Sequence, residues 1–309
     1  MQGGERYNSI SNYLKGVFGH KTVKLSIDAG FTCPNRDGKI GTGGCAFCSA
    51  GGSGELAAHN GYDEAGISVS ITEQIGRLSE KWPDAVYIAY FQSFTNTYAP
   101  VEDLRRLYYA ALSDPRISGI AIATRPDCLG EDVLDLLEEI NEEHFLWVEL
   151  GLQSAHDSTL KAMNTCYTVS TYDRAAAELN ARGIRVVAHL ILGLPGEDRE
   201  MMLDSVRHVC GTGIFGLKLH LMNIVKTSPL YEAMPDYVPF DSIDEYVDLV
   251  ISCLEIIPPD VTIHRLTGDV PRRLLVSPEW SWRKRTILNE INRGLAERNT
   301  FQGARVRQR

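Results

Sequence analysis

The chain has 309 residues, of which 44% are hydrophobic and 23% charged. That suits one large soluble domain or two ordinary ones, and no apolar run approaches the roughly eighteen residues of a membrane span. A net charge of −9 argues against a general nucleic-acid binder, and an odd count of seven cysteines argues against a disulfide framework. The opening MQGGERYNSISNYLKG lacks the basic-then-apolar order of a secretory signal, so a cytoplasmic protein with no membrane partner is expected.

In chain order, hydrophobic periodicity alternates between strand and helix. Residues 22–29 (TVKLSIDA) read as a strand with Val23, Leu25 and Ile27 on one face. The stretch from Phe31 to Gly66 is a loop of a length that is usually functional. A helix over 71–82 carries Ile71, Ile75, Leu78 and Trp82, and strand 85–91 follows. Pro100 precedes helix 101–113; then come strand 117–124, helix 131–143 and strand 146–152. Helix 171–182, closed by Gly183, strand 184–192, helix 198–210 and strand 215–222 complete six β/α units. After a break near Pro229–Pro239, DSIDEYVDLVISCLEII and WRKRTILNEINRGLAE supply two further helices.

Such an alternation implies parallel strands with helices outside. Polar residues recur opposite the apolar faces: Lys24, Ser26 and Asp28 on the first strand, Glu149, Gly151 and Gln153 on the fourth, Lys218 and His220 on the sixth. In a β/α barrel these positions point into the lumen, which a complete barrel fills with branched side chains. The expected fold is therefore α/β: a partial (β/α)6 TIM-like barrel over 1–228, with its cysteine loop at 31–66. A C-terminal helical extension, 229–309, is expected to pack on the barrel and to be basic at its end. From Trp280 to Arg309 there are eight Lys or Arg (Arg283, Lys284, Arg285, Arg293, Arg298, Arg305, Arg307 and Arg309) against Glu290 and Glu297. Such an end suits a phosphate backbone or a solvated tail.

Three cysteines, Cys33-x11-Cys45-x2-Cys48, lie in the loop after the first strand, at the end where barrel enzymes place their chemistry. Structural zinc wants four ligands, and His59 is the nearest candidate for a fourth. A redox pair needs only Cys45 and Cys48. An iron–sulfur cluster would use all three thiolates and keep one iron open. Cys128, Cys166, Cys210 and Cys253 stand alone and read as small buried apolar residues.

Together, the three-cysteine loop and the barrel pattern resemble the radical S-adenosylmethionine (radical SAM) superfamily. The resemblance implies a [4Fe–4S] cluster on Cys33, Cys45 and Cys48, with S-adenosyl-L-methionine on the fourth iron. Reductive cleavage of that cofactor would give a 5′-deoxyadenosyl radical, with electrons from a donor such as flavodoxin or ferredoxin. It also implies that Phe47 packs near the adenine and that Gln92 and its neighbours stand where a glycine-rich segment receives the methionine amino group. Glu149 and Gln153 would contact ribose and methionine groups, Arg174 the methionine carboxylate, and the backbone of LILGLPGE, through Gly193 and Pro195, the adenine.

More narrowly, KLSIDAGFTCPNRDGKIGTGGCAFC, YFQSFTNTYAP, TRPDCL, ELGLQSAHDSTL, GLPGE and TGDVPRRLLVSPEWSWRK resemble the YhcC/YtqA (MnmL-type) family over nearly the whole chain. That resemblance implies tRNA as partner and conversion of wobble carboxymethylaminomethyl-uridine to aminomethyl-uridine. A hydrogen would leave the methylene beside the carboxylate, after which the C–N bond is lost. Lys218 and His220 are the candidate catalytic residues, and Lys24, Lys218 or His220 the candidates for meeting the carboxylate. Two other functions fit the residues: a radical SAM enzyme for a small metabolite or protein, and a zinc-stabilised nucleic-acid-binding protein without catalysis.

Overall fold

A computed structural model describes residues 5–52 and 57–306. Its first helix, α1 (Ile10–Phe18), is capped by the Ser9 hydroxyl, which accepts from the Asn12 amide, and ends on left-handed Gly19. Then come β1 (Thr22–Ile27), α2 (Glu64–Ser79), β2 (Val86–Phe91), α3 (Val101–Leu112), β3 (Ile117–Thr124) and α4 (Glu131–Glu143). The chain continues through β4 (Phe145–Gln153), α5 (Asp157–Ala162), α6 (Val169–Ala181), β5 (Arg185–Leu192), α7 (Arg199–Cys210) and β6 (Gly216–Leu221). The final part holds β7 (Ile224–Val225), α8 (Pro229–Ala233), α9 (Ile243–Ile256), β8 (Thr262–Arg265), β9 (Leu275–Ser277), a 3-10 turn at Glu279–Trp282 and α10 (Lys284–Glu297).

The main sheet runs β1-β2-β3-β4-β5-β6-β8 with every pairing parallel, an open partial barrel. Its seventh strand, β8, goes beyond the six-strand expectation, because four residues are too few to show a period. Helix α2 begins at Glu64 rather than 71, since the Asp63 carboxylate accepts from the Gly66 amide at 2.8 Å and Gly66 and Ile67 are already buried. The two C-terminal helices fall where expected, and α10 buries Ile287, Ile291 and Leu295 against α9.

Alternation along the strands separates two environments. Leu25, Ile27, Ala89, Phe91, Val148 and Leu150 belong to the core between sheet and helices. Opposite them, Ile88, Tyr90, Ala121, Trp147 and Val187 form a second cluster with Leu14 of α1. That helix contacts both edge strands, β1 and β8, and Ser9 bridges to Ile263. One end of the lumen is thus plugged with apolar side chains, leaving polar ones for the layers above.

Of the isolated cysteines, Cys253 is buried, Cys128 and Cys210 are partly so, and Cys166 is exposed. Cys166 departs from the expected buried state because it stands at φ 63° in the turn after α5. Among the described residues, no helix is long and apolar enough to cross a membrane.

Candidate active site

At the C-terminal ends of the strands the lumen opens into a cavity of about 240 Å³. Cys33, Cys45 and Cys48 line it together. The loop that carries them is fastened on several sides. Ala46 donates its amide to Met163 O and its carbonyl accepts from Leu230 N–H, each at 2.9 Å, while Arg36 binds the carbonyls of Ser49 and Ala50. Asn35, fully buried, donates to Cys45 Sγ at 3.7 Å and to Asn164 O at 2.6 Å. Gly41 makes room for it, since a Cβ there would lie 2.1 Å from Asn35 Oδ1. Arg125, at the end of β3, brings Nη1 to 3.8 Å from Cys45 Sγ and is held by Asp127 and Thr165 O.

These contacts set the thiol chemistry. Cys45 is pulled down to about 7 by a hydrogen bond with Cys48, against burial, with Arg125 and Asn35 adding to the pull. The same bond pushes Cys48 up. A thiol with that preference for ionisation, buried beside a guanidinium, is suited to a metal ligand. Among the described residues no three His, Cys, Asp or Glu side chains converge on one point as a single ion requires. A four-iron cluster instead takes each thiolate on a separate iron, so three thiols around one cavity suit it.

Below the thiols, the floor is built around Glu149 of β4, whose side chain is fully buried. One oxygen accepts from Trp147 Nε1 at 3.1 Å and Lys24 Nζ at 3.4 Å; the other accepts from His189 Nε2 at 3.0 Å and from Lys218. Burial alone would raise the Glu149 pKa, but Lys218, Lys24 and His189 hold it well below the usual carboxylate range. Lys218 also donates to Tyr90 OH at 3.0 Å. His189 is lowered to about 4, chiefly by burial and then by Lys218, so it donates to Glu149 as a neutral ring. His220 is lowered too, by burial first and then by Arg265 and His189. Its Nε2 is buried and has no hydrogen-bond partner among the described residues.

The rim is irregular where β2 and β4 end. Ser93 and Phe94 follow β2 at φ 81° and 57°, a conformation that costs non-glycine residues free energy. Asn96 holds them, donating to Ser93 O at 3.1 Å and Ala123 O at 2.9 Å. Ser93 Oγ and Thr95 Oγ1 are buried at the cavity without hydrogen-bond partners among the described residues. On β4, Gln153 stands at φ 73° beyond a register shift, and a Cβ on Gly151 would lie 2.5 Å from its amide nitrogen. Unpaired buried polar atoms are costly, and a polar cofactor or substrate can satisfy them.

The cavity brings together Cys33, Cys45, Cys48, Phe47, Gln92, Glu149, Gln153, Lys218 and His220 of the expected residues. Arg174 is not among them. It is exposed on α6, whose Tyr172, Ala175, Ala176 and Leu179 turn toward the sheet. Gly193 and Pro195 also do not line the cavity. Gly193 lies under Pro239 and Phe240 and accepts from Tyr237 OH at 3.1 Å, while Ile191, two residues earlier, faces the space. His59 stacks on Tyr62 with ring centroids 4.3 Å apart and takes no place at the cavity. Sequence reasoning missed Arg125, His189 and Arg265, which also line the cavity. His189 was accessible by alternation, since it follows Val187 on the lumen face; Arg265 was hidden on the short β8.

Comparison with known proteins is consistent with this geometry. The family model described as "Radical SAM superfamily" matches residues 36–209, and "Radical SAM C-terminal domain" matches 214–297. The uncharacterized protein YtqA of Bacillus subtilis (strain 168) is 44% identical over 97% of this chain and 92% of its own. Protein YhcC of Escherichia coli (strain K12) is 38% identical over 96% and 94%. The tRNA uridine(34) acetyltransferase of Methanocaldococcus jannaschii is 25% identical over 53% of this chain and 30% of its own. Among solved structures, the archaeal Methanocaldococcus infernus Elp3 superposes with a TM-score of 0.68 at 17% identity, covering 91% of this chain and 64% of that one.

Proposed function

Because the chain belongs to the radical SAM superfamily, whose enzymes use a [4Fe–4S] cluster, S-adenosylmethionine and a reductant, we propose that it modifies the wobble uridine of tRNA. In this reading Cys33, Cys45 and Cys48 hold the cluster, and Phe47, Gln92 and Gln153 surround the cofactor. When bound, that pair supplies a 5′-deoxyadenosyl radical, and flavodoxin or ferredoxin is the proposed electron donor. Arg125 takes the carboxylate-facing role that Arg174 is too remote to fill.

The observation that carries the substrate assignment is the cation-rich floor. Lys218 and Arg265 line it with Glu149 and Asp269, Lys24 of β1 reaches Glu149 at 3.4 Å, and Asp269 is shared with Lys284. Lys218 is committed to Glu149, and neutral His220 offers a hydrogen bond rather than a charge. Lys24 is bonded to Glu149 as well, whereas Arg265 reaches Asp269 only at 3.9 Å, so Arg265 is the floor cation with charge left for a substrate carboxylate, such as that of carboxymethylaminomethyl-uridine. A nucleotide would reach this depth splayed out of the anticodon loop, as RNA loops permit. A relative named for tRNA uridine(34) supports this substrate class.

The net conversion balances. The carbon beside the carboxylate is oxidised to the aldehyde level, water supplies its oxygen, and the amine stays on aminomethyl-uridine. S-adenosylmethionine accepts the two electrons and yields methionine and 5′-deoxyadenosine. Nucleoside mass spectrometry of tRNA from a strain lacking this chain tests the reading. Accumulation of carboxymethylaminomethyl-uridine, reversed by the wild-type gene and not by the Arg265→Met variant, is expected. An unchanged nucleoside profile would overturn the tRNA assignment.

A further inference from the structure

In the folded chain the cations of the basic C-terminal segment and of the turn before it divide into two groups. Arg293 pairs with Glu290 and Glu297, Arg298 with Asp248 at 2.8 Å, and Arg305 with Glu255 at 2.8 Å. Arg307 and Arg309 lie outside the described residues. By contrast, Arg272, Arg273, Arg283 and Arg285 are exposed, and among the described residues none has a carboxylate within ion-pair distance. Two of these four flank one exposed aromatic ring. Trp282 is 45% exposed, with the Arg272 guanidinium 4.4 Å and that of Arg283 5.6 Å from its ring centroid.

This group sits beside the cavity mouth. Asp269 and Val270 line the cavity, and Arg272 follows two residues later. The next turn is tied to the barrel by β7 pairing with β9 and by Lys226 N–H donating to Leu274 O at 3.0 Å. Thr227, adjacent to Lys226, accepts from the amide of Ala50 in the cysteine loop at 3.3 Å. Trp280 turns inward against Tyr246, with centroids 6.0 Å apart, and so anchors the turn that presents Trp282 outward. Glu279 is the acidic residue within that 3-10 turn.

We propose that Trp282, with Arg272, Arg273 and Arg283, is a docking platform for an RNA loop. An unpaired base stacks on the indole or on its guanidinium neighbours, and the free arginines hold the phosphates on either side. A flat aromatic surface among unpaired guanidiniums takes any base by its π-face, and single strands can present one. The inference rests on the tRNA reading and assigns a different job to a different surface: the cavity selects the nucleotide, while the platform holds its neighbour.

The test measures binding of the full chain to an anticodon stem–loop hairpin and to a blunt RNA duplex of equal length, across a salt series. Trp282→Ala is expected to weaken hairpin binding about tenfold, remove the hairpin-induced quenching of tryptophan fluorescence and affect the duplex little. The triple variant Arg272→Ala, Arg273→Ala, Arg283→Ala is expected to reduce the salt slope by about two. Circular dichroism matching the wild type shows that the variants are folded. Wild-type hairpin affinity in Trp282→Ala would overturn the proposal, as would equal losses for hairpin and duplex, or competition by polyglutamate as effective as by RNA. Platform-dependent binding with an unchanged cellular nucleoside profile would instead overturn the proposed reaction and leave the platform standing.

Discussion

Glu149 shows how a fully buried carboxylate is kept ionised. It accepts hydrogen bonds from Lys24, Lys218, His189 and Trp147, using both oxygens, so burial does not neutralise it. His189 meets the opposite condition and stays neutral, lowered to about 4 by burial and by Lys218. The unfolded chain therefore binds more protons than the folded one between about pH 6.5 and the folded value, and stability falls as pH drops through that window. His189 alone accounts for up to roughly 3 kcal/mol of that loss, and His220 and His264, also lowered, act in the same direction. His189→Gln keeps a donor for Glu149 and removes one titrating group. Urea midpoints measured from about pH 7.5 to about pH 4.5 should fall less steeply in the variant than in the wild type. Equal slopes would show that His189 is not held neutral.

At the scale of elements, strand 117–124 and the two C-terminal helices were legible because long periodic segments carry their own signal. The start of α2 was not, since it is set by the Asp63 cap and by a buried glycine rather than by an apolar repeat. The α1 plug and β8 were missed for a related reason: each gains its place from tertiary contacts, the plug by closing the lumen and β8 by adding to β6. At the site, the cysteines and Glu149 were legible from spacing and alternation. Arg125 was not, because its role depends on Cys45 lying close by, eighty residues earlier in the chain. Helix α10 is also more than a basic tail. Ile291 is fully buried against the α9 layer, so Ile291→Ala should cost about 2–5 kcal/mol, read as a shift in the urea midpoint. A shift below about 0.5 kcal/mol would mean that α10 is an appendage and not part of the core.

Across the whole molecule, an open parallel sheet leaves one lumen end for apolar packing and the other for chemistry. Above the apolar plug that includes Trp147 lie the Glu149 network and then the three thiols, so the path of the proposed substrate from the mouth passes the cysteine loop before the floor. The arginine–tryptophan platform continues that path outward. The proposed chemistry requires that Cys33, Cys45 and Cys48 carry a cluster that meets S-adenosylmethionine. Electron paramagnetic resonance of the anaerobically reconstituted, reduced protein tests this, with and without S-adenosylmethionine. A four-iron signal that changes on adding S-adenosylmethionine, accompanied by 5′-deoxyadenosine and absent from the Cys33→Ala, Cys45→Ala, Cys48→Ala variant, is predicted. A colourless protein with stoichiometric zinc, or 5′-deoxyadenosine formed undiminished by the triple variant, would contradict it.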